Sequence, residues 1–331
     1  MNFRVLMLFV PLAVAACSSG SSEIVDLGLI GRVVYSQGPE GLWEIDLETG
    51  IKSQLWALSD GGFLSRVAVS PDGLDLVMAY APQTESPIPR ADIYIANADG
   101  SNPQPLLVHR SVYEAFNHPT WSPDGQWIYF TRSDVLIDDV QGTGVPVVNV
   151  ERIPAGGGEP EMLIEDAEQP SFSADGSRIT FLRFNQETFT RSLWVANADG
   201  SEPMQTLPDT AFFDLSSPRL SPDGEKIAFA GSGEMTLGSE PSRSIWARVF
   251  GVQSASAHGL PWDFYTMPAK GGEITKITSW GTDGAVLAWS PEGNGLAMMH
   301  LGGLYVIEAG EPSMLTETPN HGGVDWAGGT P

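Results

Sequence analysis

One cysteine occurs in 331 residues. An intramolecular disulfide is therefore impossible, and the fold is not stapled. Basic residues are also scarce, with 17 Lys and Arg against 41 Asp and Glu and a net charge of −24. A nucleic-acid surface needs clustered cations to neutralise phosphates, and no Lys/Arg cluster occurs, so nucleic acid is not expected as a partner. The acidic balance describes a solvated exterior, with a cationic partner or divalent cations as sharper readings. Beyond the first residues, no stretch is long and apolar enough to cross a bilayer as a helix. Glycine (37) and proline (25) are abundant, without a collagen-like period, and 42% of residues are hydrophobic. That combination argues against disorder and for many tight turns joining short strands around a sizeable core.

The chain begins MNFRVLMLFVPLAVAACSSGSS. Arg4 precedes an apolar run from Val5 to Val14, too short to span a bilayer comfortably, and small residues follow. This is the layout of a secretory signal peptide. Val14-Ala15-Ala16-Cys17 resembles the lipobox of bacterial lipoproteins. The resemblance implies cleavage before Cys17 and acylation of that residue, palmitate included. The alternative is an ordinary signal peptide with an incidental cysteine. Several acyl chains anchor a protein stably, whereas one is marginal. Ser18–Ser22 reads as a flexible tether. Ser18, by the same resemblance, fits the outer membrane, facing the periplasm, in a diderm bacterium; in a monoderm the anchor would be at the cell surface.

One phrase is written repeatedly: VSPDGLDLVM, WSPDGQWIYF, FSADGSRITF, LSPDGEKIAF and WSPEGNGLAM. Its serines are Ser70, Ser122, Ser173, Ser221 and Ser290; three spacings near 50 residues and one of 69 indicate a propeller or solenoid. Ser-Pro-Asp-Gly suits a type I turn: proline presets φ, Asp tolerates the third position, and Gly takes the left-handed conformation that closes a three-residue hairpin. These Ser and Asp residues are turn builders, not catalytic groups. A second hairpin also recurs six times, most clearly as Ile93–Leu106 and Leu193–Leu207. The NADGS sequence there lacks the further ligands of a calcium loop, so it is read as a turn. Each unit carries four strand signals, a four-stranded antiparallel blade.

Six outer hairpins accompany only five inner turns. GRVVYSQ (31–37) opens the array with a second-strand sequence, and GGVDWAGG (322–329) ends it with an unpartnered inner strand. Val324-Asp325-Trp326 aligns with Pro119-Thr120-Trp121. The expectation is an all-β, six-bladed propeller whose C-terminal strand completes the first blade and leaves no open edge. The W-S-P-D-G…I-x-F…I-Y-x-x-x-x-D-G pattern resembles the TolB-type, WD40-like propeller repeat, across roughly residues 30–327. Expected boundaries are 1–16 for the signal peptide, 17–29 for the lipidated tether, 30–327 for the propeller and 328–331 for a tail. TolB carries an extra N-terminal domain, and about a dozen residues between Cys17 and the first strand are too few for one. Prolyl-oligopeptidase-type enzymes pair a propeller with a hydrolase domain; the Gly-x-Ser-x-Gly elbow of that domain is missing here.

Innermost strands line the central channel. Val69, Trp121, Phe172, Leu220, Trp289 and Trp326 are expected to wedge between blades. Their neighbours Ala68, Thr120, Ser171, Arg219, Ala288 and Asp325 then face the channel, by strand alternation. One step towards the mouth come Arg66, His118, Gln169 and His321. The channel-rim candidates are thus Arg66, His118, Gln169, Arg219, His321 and Asp325. His118 and His321 sit in similar contexts, NHPTW and NHGGVDW. Two rim histidines could hold a metal or move a proton, or be ordinary polar residues at a loop end. His109 and His258 fall elsewhere, and His300 is expected to pack within a second strand.

Insertions are expected at 133–146 and 231–263. The second contains Ile245-Trp246 and Val249-Phe250 between Arg243 and Arg248, suited to a short helix at a channel mouth or partner. No cofactor is expected. The main functional expectation is a membrane-anchored, extracytoplasmic lipoprotein that binds or scaffolds an envelope protein, peptide or glycan. The alternative is a propeller enzyme, a polysaccharide lyase or hydrolase, with a metal-assisted site at the channel mouth.

Overall fold

The computed structural model describes residues 29–83, 90–137, 144–234, 261–308, 310–318 and 322–328. Cys17 and its tether, His321, His258 and the proposed 245–250 helix lie outside these residues. Twenty-four strands form six four-stranded antiparallel sheets, and the described residues contain no helix. The first blade holds β1 (Arg32–Ser36), β2 (Leu42–Asp46) and β3 (Lys52–Trp56). The second holds β4 (Phe63–Val69), β5 (Asp75–Ala81), β6 (Asp92–Asn97) and β7 (Gln104–Leu107). The third is β8 (Ala115–Trp121), β9 (Trp127–Ile137), β10 (Gly144–Pro154) and β11 (Glu161–Ile164). The fourth is β12 (Glu168–Phe172), β13 (Arg178–Asn185), β14 (Thr190–Asn197) and β15 (Met204–Leu207). The fifth is β16 (Phe212–Leu220), β17 (Lys226–Glu234), β18 (Trp262–Pro268) and β19 (Thr275–Lys276). The sixth is β20 (Val286–Trp289), β21 (Leu296–His300), β22 (Gly303–Ile307) and β23 (Ser313–Thr316).

The last strand, β24 (Val324–Ala327), pairs with β1 in the register Arg32↔Ala327 to Tyr35↔Val324. It supplies the innermost strand of the first blade, so the ring closes as the strand count requires. Gly322 and Gly323 make the approach possible: a Cβ on Gly322 would lie 1.8 Å from the Ser36 carbonyl oxygen, and one on Gly323 2.7 Å from Arg66 Cα. The Ser36 hydroxyl accepts the Gly323 N–H at 2.7 Å.

Blades pack face to face, so a second strand is covered on both sides and is buried nearly throughout, as β1 and β5 are. Six apolar clusters fill the six gaps between blades. Each contains one of the expected wedge residues: Val69, Trp121, Phe172, Leu220, Trp289 and Trp326. Two indoles also tie blade to blade by hydrogen bonds, Trp121 to the Ala68 carbonyl at 3.2 Å and Trp289 to the Arg219 carbonyl at 2.9 Å.

The repeated turn differs in one detail from the three-residue hairpin. Four residues, Pro71 to Leu74, separate Ser70 from its partner Asp75. The Ser70 N–H donates to the Asp75 carbonyl, but the Asp75 N–H donates to the Ser70 hydroxyl. The hydroxyl in turn donates to Asp72 at 2.6 Å. Ser122, Ser173 and Ser221 repeat both bonds, while Ser290 uses Asn294 because Glu292 replaces the aspartate.

The 133–146 insertion is largely an elongated hairpin. β9 and β10 continue in register to Ile137↔Gly144, with the strand formers Val135, Leu136 and Ile137 facing Pro146, Val145 and Gly144 in the extended ladder. Residues 235–260 of the other insertion lie outside the described set, between β17 and β18.

Candidate functional site

Five inner strands run from one mouth of the channel to the repeated Ser-Pro-Asp-Gly-type turns at the other, and β24 lies alongside them in the first blade. Counting back three residues from each wedge residue gives Arg66, His118, Gln169, Ser217, Val286 and Gly323. Gly323, not His321, is thus the counterpart of His118 by count, because NHGGVDW has two more residues than NHPTW between histidine and tryptophan. The next layer is Ala68, Thr120, Ser171, Arg219, Ala288 and Asp325. The five described candidates, Arg66, His118, Gln169, Arg219 and Asp325, therefore fall in two adjacent layers of the lumen.

The upper layer is built on a bulge. His118, Gln169 and Ser217 have φ of 53°, 57° and 53°, and each sits where strand register shifts against its neighbour. Each also precedes a proline, which disfavours the right-handed helical region at that residue. The bulge re-aims these residues and frees backbone groups for bonds between blades. Thr131 accepts the Gln169 N–H at 2.9 Å, and Gln169 Oε1 accepts the Ser217 N–H at 2.6 Å. The Ser217 hydroxyl accepts the Leu287 N–H at 3.2 Å. Blades three to six are thereby laced together around the mouth. The repeated X-Pro pairs His118-Pro119, Gln169-Pro170 and Ser217-Pro218 were the sequence signal for this feature, and strand alternation alone did not expose it.

His118 Nδ1 lies 3.2 Å from the Thr131 hydroxyl. Burial, then the Arg66, Arg219 and Arg191 cations, holds its imidazole well below the usual histidine range. Arg66 Nη1 donates to the Ser65 and Gly322 carbonyls at 3.0 and 2.8 Å. Burial and the Arg219 charge lower the Arg66 pKa to about 10. Arg219 Nη1 donates to the Pro218 carbonyl at 3.1 Å. Burial lowers its pKa too, and Asp325 opposes that. These side chains are half-buried, their remaining surface facing the lumen. Asp325 accepts the Val69 and Trp326 N–H groups at 2.8 and 3.0 Å. Burial raises its pKa, and the Val69 N–H partly offsets the rise.

Above these layers the mouth opens as a cavity of about 340 Å³ lined by Arg66, Gln169, Arg191, Leu215, Trp262 and His300, among others. Arg191 bridges the fourth and fifth blades, pairing with Glu168 and Asp214 at 2.6 Å each. His300 was expected to pack within a second strand. It is the last residue of that strand, β21, at the mouth, with its ring stacked on Tyr305 at 5.3 Å. A second cavity of about 370 Å³ lies beside the mouth, where Pro146, Val148, Phe184 and Phe189 meet. Phe189 is 70% exposed. His109 is remote, paired with Asp92 at 2.6 Å after an outer strand. Among the described residues, no three His, Cys, Asp or Glu side chains are placed to hold a metal.

A closed six-bladed propeller with a polar lumen is the class of protein that this architecture defines. Its fold is TolB-like. TolB from Acinetobacter baumannii superposes with a TM-score of 0.62 at 15% identity, over 90% of this chain and 66% of that one. This chain therefore spans just under two thirds of that protein's length. A putative TolB from Agrobacterium tumefaciens gives 0.56 at 15% identity, over 91% and 99% of the two chains. The tricorn protease gives 0.51 at 11% identity, over 90% of this chain and 30% of that one. No protein-family model and no curated protein matches the chain by sequence.

Proposed function

We propose that this protein is an extracytoplasmic lipoprotein, anchored through Cys17, that binds an envelope protein or peptide at the Arg66 mouth. The observation that carries the reading is the segregation of the two faces. The described ends of the chain meet at the turn face: Trp326 donates to the Ile30 carbonyl, and Arg32 reaches the Gly73 carbonyl of a turn. A tether leaving there would hold the turns towards the membrane and present the opposite mouth outward. That mouth combines an open cavity of mixed polar and apolar lining with exposed Phe184 and Phe189, the mixture found where proteins dock. The TolB-like fold supports a binding role only by analogy.

The metal-assisted enzyme reading is weaker on chemical grounds. Two arginines share the lumen with His118, and cations repel a divalent metal. Glu168 and Asp214 are both engaged by Arg191, so neither stands ready as a general acid or base.

Face-resolved photo-crosslinking in native membranes tests the proposal. A photoreactive residue at Phe189 should capture a discrete protein, and one at the exposed Lys270 of the turn face should not. Capture only at Lys270, or a glycan at Phe189, would overturn it.

A further inference from the structure

The lumen has the opposite charge character from the molecule around it. The chain carries a net charge of −24, yet the two layers beneath the mouth contain Arg66 and Arg219 against Asp325 alone. The nearby acids are committed. Asp325 accepts two backbone N–H groups, and Glu168 and Asp214 hold Arg191. The hydrogen bonds of Arg66 and Arg219 go to backbone carbonyls. Among the described residues, no carboxylate comes within 4.0 Å of either guanidinium.

Arg66 is on the second blade and Arg219 on the fifth, which are opposite one another in a ring of six. Each guanidinium retains donors, and each exposes its remaining surface to the lumen. Two cations on opposite blades of the lumen, with Asp325 as the one acid in their layers, disfavour each other's charge and lose hydration. A bound anion would relieve both costs at once and receive charge-assisted hydrogen bonds. Above them, Leu215, Val286 and Met299 lie beside Trp262 and His300 in the cavity wall, so the body of the ligand can be apolar or aromatic.

We propose that the lumen binds an oxyanion, a carboxylate or a phosphate, between Arg66 and Arg219, with the rest of its bearer seated in the cavity above. This deepens the mouth-docking reading and rests on it, naming the chemical group that the mouth receives. Gln169 is a positioning residue here: its amide oxygen fixes the Ser217 bulge on the blade that carries Arg219.

The test uses the purified full chain in detergent, at fixed pH and ionic strength. Thermal unfolding is followed against inorganic phosphate and, separately, against benzoate. At least one anion should raise Tm saturably. Arg66→Met and Arg219→Met should each weaken that response at least about tenfold, the loss expected for one charge-assisted contact. A phosphate-only response assigns a phosphoryl ligand, and a benzoate-only response a carboxylate. If either variant fails to melt cooperatively, calorimetric titration of the unaltered chain decides, with saturable one-to-one binding in support. No saturable response to either anion, or an undiminished response in both variants, would overturn the proposal. That result would leave a protein adduct at Phe189 intact, so the two failures are distinguishable.

Discussion

A serine hydroxyl does a carbonyl's work at Ser70, Ser122, Ser173 and Ser221, receiving the N–H that would otherwise close the hairpin. Ser122 is buried, so Ser122→Ala should strand the Trp127 N–H and cost about 1–3 kcal/mol, read by denaturant unfolding. The aspartates of these turns accept the same hydroxyls, and Asp175 is held at about 2 from an ordinary 3.8, chiefly by the Ser173 hydroxyl. Because its folded-state pKa lies below the unfolded value, the stabilisation is complete above roughly pH 5 and is lost as pH falls towards 2. The stability difference between the unaltered chain and Asp175→Asn should accordingly be flat above pH 5 and vanish near pH 2 in pH-dependent melts. A constant difference across that range would contradict the assignment. At this scale the turn chemistry was legible, since Pro, Asp and Gly have fixed conformational uses. The aim of His118, Gln169 and Ser217 was not, because a one-residue bulge breaks the alternation on which such a reading depends. The proline after each of them was the available clue.

Among elements, β24 has the most consequences. Val324 and Trp326 belong to the apolar cluster between the sixth and first blades, and the strand also carries Asp325 to the Val69 N–H of the second. Trp326→Ala should cost about 3–5 kcal/mol, and deleting residues 324–331 should abolish the cooperative melt, because it removes an inner strand from a closed ring. Calorimetry of the two variants checks both. Replacing Gly322 by alanine should also destabilise the ring, since its Cβ would overlap the Ser36 carbonyl. The closure was readable from a count, six outer hairpins against five inner turns. The elongated β9–β10 hairpin was not, because Asp138, Asp139, Gly142, Gly144 and Pro146 give 133–146 the composition of a loop and mask the strand formers Val135 to Ile137.

The whole molecule sets an acidic exterior around a cationic lumen and separates its two mouths. The charge total is plain from the sequence, but where 17 cations go is not: Arg66 and Arg219 face each other only once the ring has closed. Their placement in channel layers was legible from strand alternation; the lack of carboxylate partners was not, since it depends on backbone N–H groups occupying Asp325 and on Arg191 taking Glu168 and Asp214. If Cys17 is the anchor, Cys17→Ser should move the protein from membrane to soluble fractions, as fractionation and immunoblotting would show; retention would contradict it. The lumen, its arginines and the segregation of faces all require β24 to seal the first blade. Spin labels at Ile30 and Gly328, in a Cys17→Ser background, measure that seal by double electron–electron resonance. Ile30 is exposed, and the labelled sites flank the β1–β24 pairing. The closed ring predicts one short separation, set by adjacent strands about 5 Å apart plus the label linkers. A broad distribution, or a separation approaching the diameter of the molecule, would contradict it.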